Sequence, residues 1–164
     1  MATLIDIKEL LNSIANAHSQ INDFVFDNID VILSKKDVKY AALFVTPLSI
    51  NVGKKYNEYV LQMVLIDKLA KDDSNYLYVL ENTRQIMLDV LAEIDRNSFV
   101  TLQFDTQSVT LTDVKDTWND DNVAGWIVNI NCRVPNELGT CGIPYILPPG
   151  VVLQENGFPI LLEN

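Results

Sequence analysis

Histidine occurs once, at His18, and cysteine twice, at Cys132 and Cys141. That scarcity bounds the chemistry. A zinc site needs several nitrogen, sulfur or carboxylate ligands, and His18 is far in sequence from both thiols. The cysteines therefore read as two reduced thiols, one of them a small core residue, in a chain with no sign of export. Also missing are a glycine-rich phosphate loop, paired histidines at metal spacing and a strained elbow around a serine. The expectation is a protein without cofactor, metal or catalytic residue, and hence no enzyme. No apolar run approaches the roughly 18 to 20 residues that span a bilayer, so no membrane partner is expected. Met1 to Asp6 lacks a basic segment followed by a long apolar one, which argues against a secretory signal.

Positive charge is scarce too. Twelve Lys and Arg stand against 22 Asp and Glu, a formal net charge of −10. Phosphate binding draws on clustered cations, so contact with DNA should be weak at most. Lys35, Lys36 and Lys39, then Lys54 and Lys55, lie near expected strand ends and suit protection of edges and turns. After Lys115 the only cation is Arg133.

Against these absences, 48% of the 164 residues are hydrophobic, enough for one globular core. Leu4, Ile7, Leu11, Ile14, His18 and Ile21 recur at steps of three and four, the period of an amphipathic helix. Thr3 can cap it, with Asp6 completing a capping box. His18 lies on the apolar stripe and reads as a partly buried histidine near the helix end. Phe24 to Leu33, Tyr40 to Leu48 and Tyr56 to Leu69 read as strands. The last is apolar on both faces, which predicts a central or doubly covered position. A second helix is expected from Asp72 to about Asp95, along Leu77, Leu80, Arg84, Met87, Leu91 and Ile94. Arg84 interrupts that stripe and should snorkel or pair with Glu81 or Asp89. Phe99 to Phe104 and Gln107 to Asp113 read as short strands. Val123 to Pro135 alternates cleanly, with Trp126, Val128, Ile130, Cys132 and Val134 inward and Asn129, Asn131 and Arg133 outward.

The order helix, three strands, helix, three strands predicts an α+β domain over residues 1–135, with a mostly antiparallel sheet and two packed helices. Residues 136–164 differ. Four of the six glycines and four of the six prolines fall there, which excludes a helix, yet apolar side chains remain dense. An extended C-terminal arm that lies on its own domain, on a neighbouring copy or on another protein is expected. Tyr145, Ile146, Leu147, Phe158 and Ile160 are its candidate anchors, and Arg133 and Trp118 join them as candidate subunit-interface residues. The acidic group Asp113, Asp116, Asp120 and Asp121 reads as a solvated turn-forming loop. As a Ca²⁺ site it lacks the glycine and closing glutamate of an EF-hand loop.

Three segments carry a resemblance when taken in order: Ala15-Asn16-Ala17-His18-Ser19-Gln20-Ile21-Asn22-Asp23-Phe24, Tyr40-Ala41-Ala42-Leu43-Phe44-Val45-Thr46-Pro47-Leu48, and Asp120-Asp121-Asn122-Val123-Ala124-Gly125-Trp126. Across roughly residues 3 to 135 the chain resembles small structural proteins of tailed bacteriophages, notably crAss-like phages, of the tail-terminator or neck-ring class. The resemblance implies an α+β subunit without enzymatic activity that forms a ring, often sixfold or a related multiple, at the head–tail junction of the virion. Its partners would be copies of itself and neighbouring neck, portal or tail proteins, assembled in the host cytoplasm. The apolar tail after Pro135 departs from the shorter members. The alternative is an intracellular adaptor module whose arm docks on a different protein.

Overall fold

The computed structural model describes residues 3–98, 101–118 and 120–136, and the backbone course of 151–153 and 159–161. Helix α1 spans Leu4–Ala17. The Thr3 hydroxyl accepts from the Asp6 backbone while the Asp6 carboxylate accepts from the Thr3 backbone, the capping box expected from the sequence. Those bonds hold the Asp6 carboxyl below its ordinary range. Ile7, Leu11 and Ile14 are buried along one stripe, and His18 is the residue that ends the helix.

Strand β1 is short, Asp23–Phe26, and helix α2 follows at Ile29–Ser34. The expected strand from Phe24 to Leu33 is therefore corrected: its second half is helical. Asn28 accepts from the Val31 N–H through its side chain at 2.9 Å, an N-cap that ends the strand. The turn-and-cap pair Asp27-Asn28, with Asp30 in the first helical turn, was the available signal. Only Ile32 of α2 is buried, so three of its apolar residues, Ile29, Val31 and Leu33, stay exposed.

β2 (Ala42–Val52) and β3 (Tyr56–Lys68) form a long hairpin, followed by α3 (Tyr76–Arg96), β4 (Gln103–Asp105), β5 (Thr112–Trp118) and β6 (Asp121–Pro135). The six strands make one sheet in the order β1-β2-β3-β6-β4, with β5 sharing the free edge of β6 with β4. Every pairing is antiparallel except β1 with β2. That parallel pair requires a crossover, which α2 and the segment to Ala41 supply. The fold is α+β with a mostly antiparallel sheet, as expected, with three helices among the described residues rather than two. The strand expected at Gln107–Asp113 lies instead at Thr112–Trp118, where it pairs with the start of β6.

The two faces of the sheet are covered unequally. Leu43 and Val45 of β2, Leu61, Met63 and Leu65 of β3, and Val128, Ile130, Cys132 and Val134 of β6 meet α1 and α3 in the main core. Each fully buried aliphatic side chain of this kind contributes about 1.5–3 kcal/mol relative to exposure. On the other face Ala42, Phe44, Ile66 and Val123 form a smaller cluster under Ile32 of α2. β3, apolar on both sides, is central. α3 buries Val79, Thr83, Ile86, Met87, Val90, Leu91 and Ile94, a stripe rotated from the expected one at its start. Trp126 causes the rotation: its Nε1 donates to the Leu80 carbonyl at 2.8 Å and holds the helix with Val79 inward and Leu77 outward. Arg84 pairs with Glu81 at 2.5 Å, one of its two expected partners.

Candidate functional site

The β2–β3 hairpin outruns the helices. Between Pro47 and Ser49 the β2 register shifts by one residue, a bulge that turns the following residues over. Ile50 then sits opposite Tyr59 and Val52 opposite Asn57, both on the helix side of the sheet. With no described helix above them, Ile50 and Val52 stay exposed, Val52 at 72%, and Tyr56 is exposed on the opposite face, across from Pro135. The turn itself is tight. Gly53 N–H donates to the Tyr56 carbonyl at 3.0 Å, and a Cβ on Gly53 would meet that oxygen at 2.6 Å. Lys54 and Lys55 project from this tip, and neither has an ion-pair partner among the described residues.

Asn136, the residue that follows β6, is held at the same place. It donates from its backbone to the Lys55 carbonyl at 2.8 Å and from its side chain to the Gly53 carbonyl at 2.7 Å. Residues 137–164 thus begin at the hairpin turn. Of the expected arm, Val151–Leu153 (β7) and Pro159–Leu161 (β8) pair antiparallel as a separate two-stranded sheet, which places Ile160 opposite Val152. Tyr145, Ile146, Leu147 and Phe158 lie outside the described residues, as does Cys141.

Of the other interface candidates, Arg133 is exposed near the end of β6, where its Nε donates to Glu58 at 2.9 Å across the strand pair. Together with Val52, Gly53 and Tyr56 these two line a shallow depression of about 410 Å³ at the hairpin tip. Trp118 sits at the opposite end of the sheet. Its ring stacks on Phe44 with centroids 5.1 Å apart and planes 3° from parallel, closing the smaller apolar cluster from the side. The structure brings Arg133 to the tip and keeps Trp118 away from it.

At that opposite end the surface changes character. Leu77 is 77% exposed and Tyr78 73%, the most exposed large apolar residues described. Sequence reading missed them because Leu77 fits the helical stripe by spacing alone. Asp72 precedes them, Glu81 follows one helical turn on, and Asp113 lies on the helix side of β5 opposite Trp126, the residue bonded to the Leu80 carbonyl. Asp113 and Asp116 are strand residues, not the loop expected for the acidic group. Asp120 takes a left-handed φ of 68° in the turn before β6. Lys115 pairs with Asp73 and sits 5.3 Å over the Tyr76 ring, tying β5 to the start of α3. At the same end, burial raises the Asp67 carboxyl above its ordinary range. It also raises the Tyr40 phenol, with the Asp121 and Asp67 charges adding to the effect. No group of three or more described His, Cys, Asp or Glu residues is placed to hold a metal ion.

A third feature is a groove of about 490 Å³ between α1 and α3, lined by Leu10, Ser13, His18, Asp89 and Arg96 among others. Ser13, His18 and Asp89 do not make a nucleophile relay. His18 Nδ1 accepts from the Gln20 N–H at 3.3 Å, and Nε2 faces Asp89 at 3.7 Å, so no ring nitrogen is left to take a proton from serine. The histidine ties the helix end to α3, the partly buried position the apolar stripe indicates.

No described helix is long and apolar enough to cross a membrane. No protein-family model matches this chain, and no curated protein matches it.

Proposed function

We propose that this chain is a structural subunit of a tailed-phage virion, a member of a ring at the head–tail junction that terminates or joins the tail. Its work would be geometric, with copies of itself and neighbouring neck, portal or tail proteins as partners. The observation that carries this reading is the placement of exposed apolar side chains at both ends of the long β3 strand, with Asn136, the last residue before the apolar C-terminal sequence, held beside one of them. The resemblance of the three sequence segments to neck and tail proteins supports the same reading. Apolar surface concentrated at opposite ends, rather than in one pocket, suits a subunit that meets a copy on each side. The arm adds buried area at roughly 25 cal/mol per Å², less the entropy of ordering it.

Light scattering of the purified chain, with electron microscopy of any large species, tests the proposal. Closed rings are expected. Residues 1–136 alone should fold and assemble poorly. Normal assembly of that truncation would remove the arm from the mechanism, and a complex formed only with an unlike protein would favour the adaptor alternative.

A further inference from the structure

The two exposed apolar ends differ in charge, and this selects how copies can meet. At the hairpin tip, Ile50 and Val52, with Tyr56 on the other face, are accompanied by Lys54 and Lys55, which have no ion-pair partner among the described residues. At the start of α3, Leu77 and Tyr78 are accompanied by Asp72 and Asp113, which likewise have no ion-pair partner among the described residues, while the Glu81 charge is taken up by Arg84. Lys71 is exposed there as well, and leaves the end acidic on balance. The 13 residues of β3 separate the ends by about 40 Å at 3.3 Å per residue. Ile50 and Val52 at one end and Leu77 and Tyr78 at the other lie on the helix side of the sheet, while Tyr56, opposite Pro135, stands on the other face of the tip. Tip against tip would set lysine against lysine, and α3 start against α3 start would set carboxylate against carboxylate. Only the unlike pairing matches charge and buries apolar surface on both sides.

We propose that copies of this chain associate head to tail, the β2–β3 tip of one seating on the α3 start of the next. The inference rests on the assembly reading above and names its surfaces. A heterologous contact of this kind leaves one unused end on each copy, so it propagates until it closes into a ring or continues as a filament. It also carries residue 136 of each copy to the surface of the next, which is where an arm would have to begin to reach a neighbour.

The test uses two full-length variants, I50A/V52A at the tip and L77A/Y78A at the α3 start. All four side chains are exposed, so both variants should melt within a few degrees of wild type. Alone, each should be monomeric by light scattering at concentrations where wild type assembles. Mixed in equal amounts, they should form dimers and nothing larger, because each supplies the end the other lacks. Assembly by either variant alone overturns the pairing while leaving the assembly reading intact. Wild type that stays monomeric up to the highest soluble concentration overturns both. A mixture that stays monomeric overturns the complementarity on which the pairing stands. Added salt should weaken the wild-type assembly, and indifference to salt would remove the part assigned to charge.

Discussion

Gly125→Ala is the substitution this fold should tolerate least among changes of a single methyl group. Gly125 lies in β6 between two partners, Ile66 of β3 on one side and Val114 of β5 on the other. A Cβ there would fall 1.9 Å from the Leu65 carbonyl oxygen, 2.8 Å from its carbon and 2.9 Å from the Ile66 Cα. All three atoms are backbone, so no side chain can swing aside. Restoring an ordinary carbon contact of about 3.5 Å requires β3 to withdraw by about 1.5 Å, more than a ladder hydrogen bond near 3 Å can absorb. Overpacking of this kind costs about 1–3 kcal/mol, and one or two lost ladder bonds add about 1 kcal/mol each. Against this stands the gain of about 0.5–1 kcal/mol that Ala brings over Gly in an unstrained strand. The net loss is about 2–4 kcal/mol, a fall in melting temperature of about 5–15 °C for a chain of this size. Thermal melts by circular dichroism read it, with Gly53→Ala as comparison, since the exposed hairpin turn can open where the middle of the sheet cannot. A Gly125→Ala melting point within about 2 °C of wild type would refute the close approach of β3 and β6.

Two further substitutions and one labelling experiment probe the same packing. Trp118→Ala removes the stack on Phe44 and should destabilise the chain by about 2–3 kcal/mol, below the cost for a fully buried tryptophan; an unchanged denaturation midpoint would show that the ring does not serve the fold. Burial raises the Asp67 carboxyl in the folded state, so the folded chain disfavours its charge at neutral pH. Asp67→Asn should therefore stabilise modestly at pH 7, with the advantage fading as pH falls through the raised folded value and gone below the unfolded carboxyl range near 4; a gain that persists at pH 3 would assign the effect to something other than charge. Burial pushes the Cys132 thiol up to about 12, which leaves on the order of one thiolate in ten thousand at pH 8. In a Cys141→Ser background, Cys132 should react with a maleimide only after denaturation, and rapid labelling of the native chain would contradict its burial.

Much of the fold was legible because it is written in local period and chemistry. Thr3 with Asp6 announces the start of α1, and steps of three and four give its buried face. The alternation from Trp126 to Val134 gives β6 its inward side, and the doubly apolar run of β3 gives its central place. Phe24 to Leu33 failed where two local signals compete. Its apolar residues satisfy a strand pattern, while the Asn28 cap satisfies a helix, and burial of Ile32 against Ala42 and Phe44 decided for the helix. Leu77 failed for a different reason. Spacing places it on the stripe, but the bond from Trp126 to the Leu80 carbonyl, 46 positions apart in the chain, sets which side of α3 faces the sheet.

What the sequence determined by itself, then, is what needs only near neighbours: helix period, caps, strand alternation, the acidic balance and the poverty in catalytic residue types. The tertiary structure decided what depends on distant partners. Pairing of β3 with β6 forces Gly125 against Leu65, and a one-residue bulge in β2 turns Ile50 and Val52 outward beyond the reach of the helices. The length of β3 then carries Lys54 and Lys55 away from Leu77, Tyr78 and Asp72. A residue's side of a sheet is a local property, but whether anything covers that side depends on how far the neighbouring elements extend, and no window of sequence contains that length.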